Sequence, residues 1–356
     1  MTCTSTSAAE CCTIVSKQKL WIHQLNEAIS FNDIINAQKR LKGHTATTPL
    51  LESALLNKLT GRRVLIKAEC LQHTGSFKFR GGTSAITNLT PAQRSTGVIA
   101  YSSGNHAQGV AFAAQRAGVK AVIVMPCDAP KLKINNTREY GAEIVIYDRP
   151  GGESREAIGQ QLAEERGLHL IKPYDNKDVI AGQGTCGLEI AAQAQDADID
   201  EAEVLVCCGG GGLTSGIALS LETTAPKMKV RPVEPKYYDD VIRSQKSGQR
   251  EQADNDQKSI CDAIVTPSPG ELTFPIIKRL CHPGIVVTDE EALQAMQMAL
   301  RYLRIVAEPG GAVAMAAALF HNKEITSDTV ICVVSGGNVD PDILDRAVHI
   351  SSDNLQ

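Results

Sequence analysis

Positive charge is in short supply in this chain. Against 36 Lys and Arg stand 40 Asp and Glu, a net charge of −4, which excludes a general nucleic-acid binder with its basic surface. No apolar run approaches the roughly 18 residues of a spanning helix, so no membrane segment is expected. No CxxC pair or Cys/His cluster has zinc-ligand spacing. The cysteines number 11, an odd count scattered along the chain, with Cys207 and Cys208 adjacent in an apolar run. They make poor material for a disulfide framework and point to a reducing compartment, the cytoplasm. Residues 1–30 start without the basic and apolar regions of a secretory signal or the arginines of a mitochondrial presequence, and read as a tail disordered at its start. What remains is an ordinary mixture, 43% hydrophobic and 21% charged over 356 residues, enough for one large or two modest domains.

From about residue 60 short apolar runs alternate with longer helix-like stretches. Strands are expected at Val64–Glu69, Val98–Tyr101, Ala121–Met125, Glu143–Tyr147, Leu168–Lys172, Val204–Cys208, Lys229–Val233, Ile285–Val287 and Val330–Val334. Several are apolar almost throughout, as suits strands buried on both faces of a parallel sheet. Pro232 cannot donate to a ladder and points to a strand end or an edge. Helices are expected at Asn105–Ala117, Ser154–Arg166, Asp178–Ala194 and Glu290–Arg304, and an exposed polar excursion at Ser244–Lys258. The alternation indicates an α/β fold with mostly parallel sheets, in which ligands bind beyond the carboxyl ends of strands.

Four segments sit at such places. Lys78 lies between Phe77 and Phe79; partial burial would lower its pKa and free a nucleophilic amine, or the side chain snorkels past the rings to solvent. Gly209–Gly212, followed by Leu213, come after the Val204–Cys208 run and before a helix-like stretch. Consecutive glycine amides there can curl around a phosphate, though the spacing is neither that of a P-loop nor of a dinucleotide fingerprint. Ser102-Ser103-Gly104-Asn105-His106 follows Val98–Tyr101 and offers hydroxyls and an amide where a helix begins, as ligand groups or as a helix cap. Ser335-Gly336-Gly337-Asn338 forms a polar tip after Val330–Val334.

Taken in this order, SFKFRG around Lys78, SSGNH, GGGG and SGGN resemble the serine/threonine dehydratase and serine racemase family of pyridoxal-phosphate (PLP) enzymes, of fold type II and similar to the tryptophan synthase β chain. The resemblance runs from about Phe31 to Val348 and includes AGQGT at Ala181–Thr185 and EPGGA at Glu308–Ala312. It implies two domains, each a mostly parallel twisted sheet flanked by helices: a large PLP-binding one from 31–95 plus 176–356, and a small mobile one from 96–175. It implies that Lys78 carries the cofactor as a Schiff base and acts as general base at the substrate Cα. Phe77 would pack beside the ring, Asn105 meet the phenolic oxygen, Gly209, Gly210, Gly211, Gly212 and Leu213 hold the phosphate, and Ser335 meet the pyridine nitrogen. Ser102, Ser103, Gly104, Asn105 and His106 would grip the substrate α-carboxylate. A serine at the ring nitrogen makes a weaker electron sink than a carboxylate partner, which favours expulsion of a β-leaving group.

The resemblance also implies an Mg²⁺ site, or one for Ca²⁺ or Mn²⁺, on Glu234, the carbonyl of Tyr238 and Asp240; otherwise the segment is an acidic surface turn. Arg155 either pairs two-pronged with a second acidic group on the substrate or is a solvated helix-face arginine paired with Glu156 or Glu153. The activity expected is an ammonia-lyase that removes water and then ammonia from threonine, serine or 3-hydroxyaspartate. Ser103 keeps serine racemisation open as the alternative, because it sits where racemases place their second acid/base group. A non-catalytic PLP-binding protein would be expected to have lost Lys78 or the glycines. The partner expected is a small amino acid, and the assembly a homodimer.

Overall fold

The computed structural model describes residues 29–254 and 257–351; the expected N-terminal tail lies almost wholly outside them. Ten strands among the described residues, β1 (Leu50–Glu52), β2 (Arg63–Ala68), β3 (Val98–Tyr101), β4 (Ala121–Pro126), β5 (Glu143–Tyr147), β6 (His169–Leu170), β7 (Glu203–Cys207), β8 (Lys229–Pro235), β9 (Ile285–Val287) and β10 (Thr329–Val334), form two sheets. One is six-stranded in the order β1-β2-β10-β7-β8-β9, the other four-stranded in the order β5-β4-β3-β6. Every pairing is parallel except β1 with β2. Parallel strands need crossover helices, and these cover both faces. That is why β3, β4 and β7 are buried along their whole length, and β10 at all but its first residue, and why they read as unbroken apolar runs.

Two helices, Lys177–Asp196 and Gly212–Thr224, pack at the closest approach backbone allows. A Cβ at Gly216 would stand 2.6 Å from the Ile180 carbonyl and 2.7 Å from the Gly184 amide. This contact brings the start of the second helix, with the glycine run, against the helix that carries AGQGT.

Four expectations need correction. Pro232 is not at an edge, since β8 lies between β7 and β9. Alternate residues of a parallel strand face alternate neighbours. The Lys229 amide bonds Ala202 on the β7 side, while Val230 accepts from His282 on the β9 side. Pro232 therefore turns its ring to the β9 side, where pairing begins only at Val233 with Ile285, and no ladder bond is lost. The Leu168–Lys172 strand shrinks to two residues, and Leu50–Glu52 is a strand too short to show a period. Ser244–Ser247 completes a helix, Asp240–Ser247, before the polar excursion begins. The helix Asp289–Met298 ends in a π turn, Ala299–Leu303, stopped by Arg304 at φ 63°.

Candidate active site

The turn before Lys78 is pinned to the tip of β10. The Phe77 amide donates to the Ser335 carbonyl at 3.1 Å, and Ser76 bridges to Gly336. The helix Lys78–Thr87 then starts on Lys78 itself. Its Nζ sits 5.1 Å from the Phe77 ring centroid and donates to the Pro173 carbonyl at 2.9 Å. It faces a cleft shared with Ser102–His106, Lys133, Arg155 and Tyr174. Burial lowers its pKa to about 8, the Arg155 charge adds to the effect, and Glu308 opposes it. A lysine that snorkelled into solvent would feel none of this.

The loop after β3 is buried at its far end. Ser102 Oγ accepts from the Gly104 amide at 3.1 Å, so Ser102 caps a turn and not the helix Asn105–Ala117, which has no side-chain cap. Ser103 lines the cleft. Asn105 donates through Nδ2 to Glu308 and accepts through Oδ1 from Asn338 Nδ2 at 2.8 Å, while Asn338 also donates to the Thr74 carbonyl at 2.7 Å. One asparagine of the SGGN tip thus ties SSGNH to the residues just before Lys78. His106 is 2% exposed, its Nε2 lies 3.0 Å from the Ile171 carbonyl, and burial pushes its pKa to about 3. It is a neutral imidazole with Nε2 as donor.

The glycine run leaves β7 and enters the helix Gly212–Thr224, whose first turn has no side-chain cap. Gly211 holds φ +89°, a conformation that favours glycine, and a Cβ there would come 2.6 Å from Ile277. A Cβ on Gly209 would stand 2.7 Å from the Ile264 carbonyl, and one on Gly210 would overlap the Tyr174 ring. The amides of Gly209, Gly210, Gly211 and Gly212 donate to no acceptor among the described residues, as an anion cradle at a helix start requires. Pro173 on Lys78 and Tyr174 on Gly210 are consecutive, so one crossing segment holds the amine and the cradle together. Ser335 is 3% exposed at the tip of β10. An amine of lowered pKa, an unpaired amide cradle and a buried serine and asparagine are the groups that a phosphorylated pyridine aldehyde needs.

A family model described as "Pyridoxal-phosphate dependent enzyme" matches residues 41–336. The chain belongs to this family. The enzyme is 42% identical over 311 residues to an L-threo-3-hydroxyaspartate ammonia-lyase from Pseudomonas sp, covering 87% of this chain and 96% of that protein. It is 37% identical to a serine racemase from Schizosaccharomyces pombe, over 91% of this chain and 97% of that one. A solved threonine deaminase from T.th. superimposes with a TM-score of 0.82 at 43% identity, covering 87% of this chain and 99% of that structure. The cofactor of the enzyme is pyridoxal phosphate, and the unpaired glycine amides fit its phosphate.

Arg155 is neither fully solvated nor free of a protein partner. Its Nε donates to Glu156 at 2.8 Å, yet the residue lines the same cleft as Lys78 and Ser103, with its guanidinium 5.7 Å from the Tyr101 ring centroid. Glu153 bonds instead to the Asp148 amide. The acidic segment is no surface turn: Glu234 and Asp240 are 0% and 1% exposed. Glu234 accepts from the amides of Val241 at 3.1 Å and Ile242 at 2.8 Å. Both Asp240 oxygens are buried without a partner. Burial raises both carboxyl pKa values, that of Asp240 to about 7, and the two groups repel.

Three residues of the site have no role that the sequence motifs assign. Glu308, inside the EPGGA motif, is buried against Asn105 with Oε2 unpartnered, and burial pushes its pKa up to about 7. Lys133 reaches from the helix Lys131–Glu139 to Asp262 at 2.8 Å across the cleft. Tyr174 packs on the cradle. Lys133 and Tyr174 are single residues in unremarkable contexts, and only the fold gives them neighbours.

Proposed function

We propose that the enzyme is an ammonia-lyase that eliminates water and then ammonia from a small L-β-hydroxy amino acid, with 3-hydroxyaspartate preferred to serine and threonine. The observation that carries the preference is Arg155 in one cleft with Lys78, a cation placed to pair with a second carboxylate. The 3-hydroxyaspartate ammonia-lyase among the relatives supports it.

In this reading Lys78 binds the cofactor, whose phosphate rests on the amides of Gly209, Gly210, Gly211, Gly212 and Leu213. Phe77 packs beside the ring, Asn105 meets the phenolic oxygen and Ser335 the ring nitrogen. Bound PLP supplies an electron sink for the negative charge that develops at the substrate Cα. Ser102–His106 hold the α-carboxylate, with His106 a neutral imidazole that contributes no charge to the pairing. Lys78 takes the Cα proton, a task suited to an amine with pKa near 8. The Tyr101 and Tyr174 rings and the Pro173 backbone narrow the cleft and keep water from the reacting carbon. Glu234, Asp240 and the Tyr238 carbonyl would hold Mg²⁺, Ca²⁺ or Mn²⁺; the two unpartnered Asp240 oxygens support this. The exposed Leu55 and Leu59, which line one hollow with half-buried Tyr302 and the cations Lys58, Arg301 and Arg304, support a homodimer, and the free-cysteine composition supports the cytoplasm.

Ser103 in the cleft favours a second reading, serine racemisation with elimination as a side activity. A panel of L-threo-3-hydroxyaspartate, L-serine and L-threonine, scored for 2-oxo acid and for D-amino acid, separates the two. The expected outcome is the highest kcat/KM on hydroxyaspartate, reduced about tenfold to a hundredfold in Arg155→Gln by loss of a charge-assisted pair. D-serine formed faster than pyruvate would overturn elimination as the main activity.

A further inference from the structure

The Arg155 side chain is only part of the surface that a second carboxylate would meet. Its Nε is already engaged by Glu156, which leaves the end of the guanidinium fork for a ligand. A carboxylate offers about four lone-pair directions, and one fork edge takes two of them.

Tyr174 stands beside it. The residue lines both the cleft that contains Lys78 and the adjoining hollow formed by Arg155, Glu156, Asp175 and Arg250. Its ring is held in place from behind, because Gly210 has no side chain to displace it and Gly212 would put a Cβ 3.1 Å from the Tyr174 backbone. The next residue, Asp175, accepts from the Leu272 amide at 2.8 Å and fixes the strand of chain that carries the ring. Yet the Tyr174 hydroxyl makes no hydrogen bond among the described residues, although Arg155 and Tyr174 lie close enough to shift each other's pKa. The two nearest lysine and arginine side chains besides Arg155 and Lys78 are occupied, Lys133 by Asp262 and Arg250 by Glu271 and the Pro269 carbonyl, whereas the Thr266 hydroxyl in the Lys78 cleft is buried without a partner. Tyr101 lines the same two hollows with its ring packed against the Arg155 guanidinium, and Tyr147, 4% exposed, lines neither.

We propose that the Tyr174 hydroxyl donates to the distal carboxylate of the substrate beside Arg155, which makes Tyr174 a specificity-determining residue for acidic over neutral β-hydroxy amino acids. The inference rests on the hydroxyaspartate reading above. Serine and threonine carry hydrogen and methyl at that point, neither of which accepts an O–H, so the discrimination is built from a donor that only the acidic substrate satisfies.

Tyr174→Phe keeps the ring against Gly210 and removes only the donor. The ratio of kcat/KM for L-threo-3-hydroxyaspartate to that for L-serine is expected to fall about tenfold to a hundredfold, the worth of one hydrogen bond to a charged group. The holoenzyme's dissociation constant for succinate, a dicarboxylate with no leaving group, should rise by a similar factor in calorimetry. A change shared equally by both substrates, or an unchanged ratio and unchanged succinate affinity, overturns the inference. Arg155→Gln run in parallel separates the two levels: if it lowers the ratio and Tyr174→Phe does not, the acidic-substrate reading stands and the role of Tyr174 falls. If neither variant moves the ratio, both fall together.

Discussion

At the scale of single residues, the chemistry turns on how burial and neighbours set the charge of Lys78. An unperturbed lysine titrates near 10.4, and a protonated amine cannot attack an aldehyde. With the pKa lowered to about 8, the rate at which apoenzyme rebinds PLP, followed by the absorbance of the bound cofactor at about 410–420 nm, should rise with pH around 8 and not around 10. His106, pushed to about 3, is silent in that window. Arg155 disfavours the Lys78 ammonium and Glu308 favours it. Arg155→Gln should therefore move the inflection up, and Glu308→Gln should move it down. Shifts of the same sign in both variants would exclude these electrostatics. The Phe-Lys-Phe pattern makes a buried lysine plausible in sequence, but not which charges face it, since Arg155 is 77 positions later and Glu308 230.

At the scale of elements, Glu234 is the second-to-last residue of β8 and Asp240 opens the helix Asp240–Ser247, so the turn between them folds two acidic groups into the protein interior. Without a cation the repulsion and the burial of both carboxylates weaken the turn. Anything bound only to the folded state stabilises it by mass action, about 2.7 kcal/mol at a hundredfold excess over Kd. EDTA is thus expected to lower the Tm of the enzyme by several degrees, Mg²⁺ or Mn²⁺ to restore it, and Asp240→Asn to lose this response. A Tm indifferent to EDTA and to added metal would rule out a stabilising cation at this turn. The strands themselves were largely legible, because β3, β4 and β9 follow runs whose apolar character is set by burial. Their pairing was not. β2 and β10 lie side by side although more than 260 residues separate Val64 from its partner Val330, and no local pattern records a neighbour that distant.

At the scale of the molecule, a buried ionic cluster joins the site to the large sheet. Arg80, two residues after Lys78, donates to Glu69 at 2.7 and 2.8 Å and to Glu189 at 2.7 and 2.8 Å. Lys67 on β2 bonds Glu189 at 2.6 Å and Gln193 at 2.9 Å. Arg80, Glu69 and Lys67 are each 0% exposed. The cluster locks the Lys78 helix to β2 and to the helix Lys177–Asp196. Removing one partner leaves a buried charge uncompensated, so Arg80→Met should cost about 3–5 kcal/mol in denaturant unfolding. Glu69→Gln added to it should recover part of that loss, a coupling measurable as a double-mutant cycle. Strict additivity of the two would deny the coupling.

The sequence by itself determined the α/β class, the family and the cofactor, because these rest on short contiguous motifs whose local chemistry is complete: a lysine in an apolar setting, glycine amides at a helix start, a polar tip on an apolar strand. Tertiary structure decided what needed partners from elsewhere in the chain. It turned Arg155 toward Lys78 while leaving it paired with Glu156, buried the acidic pair whose alternative reading was a surface turn, and brought Glu308, Lys133 and Tyr174 to the cleft. The physical reason is one of range. A motif fixes the groups it contains, but the charge, orientation and pKa of each group depend on neighbours that only the folded sheets bring within a few ångströms.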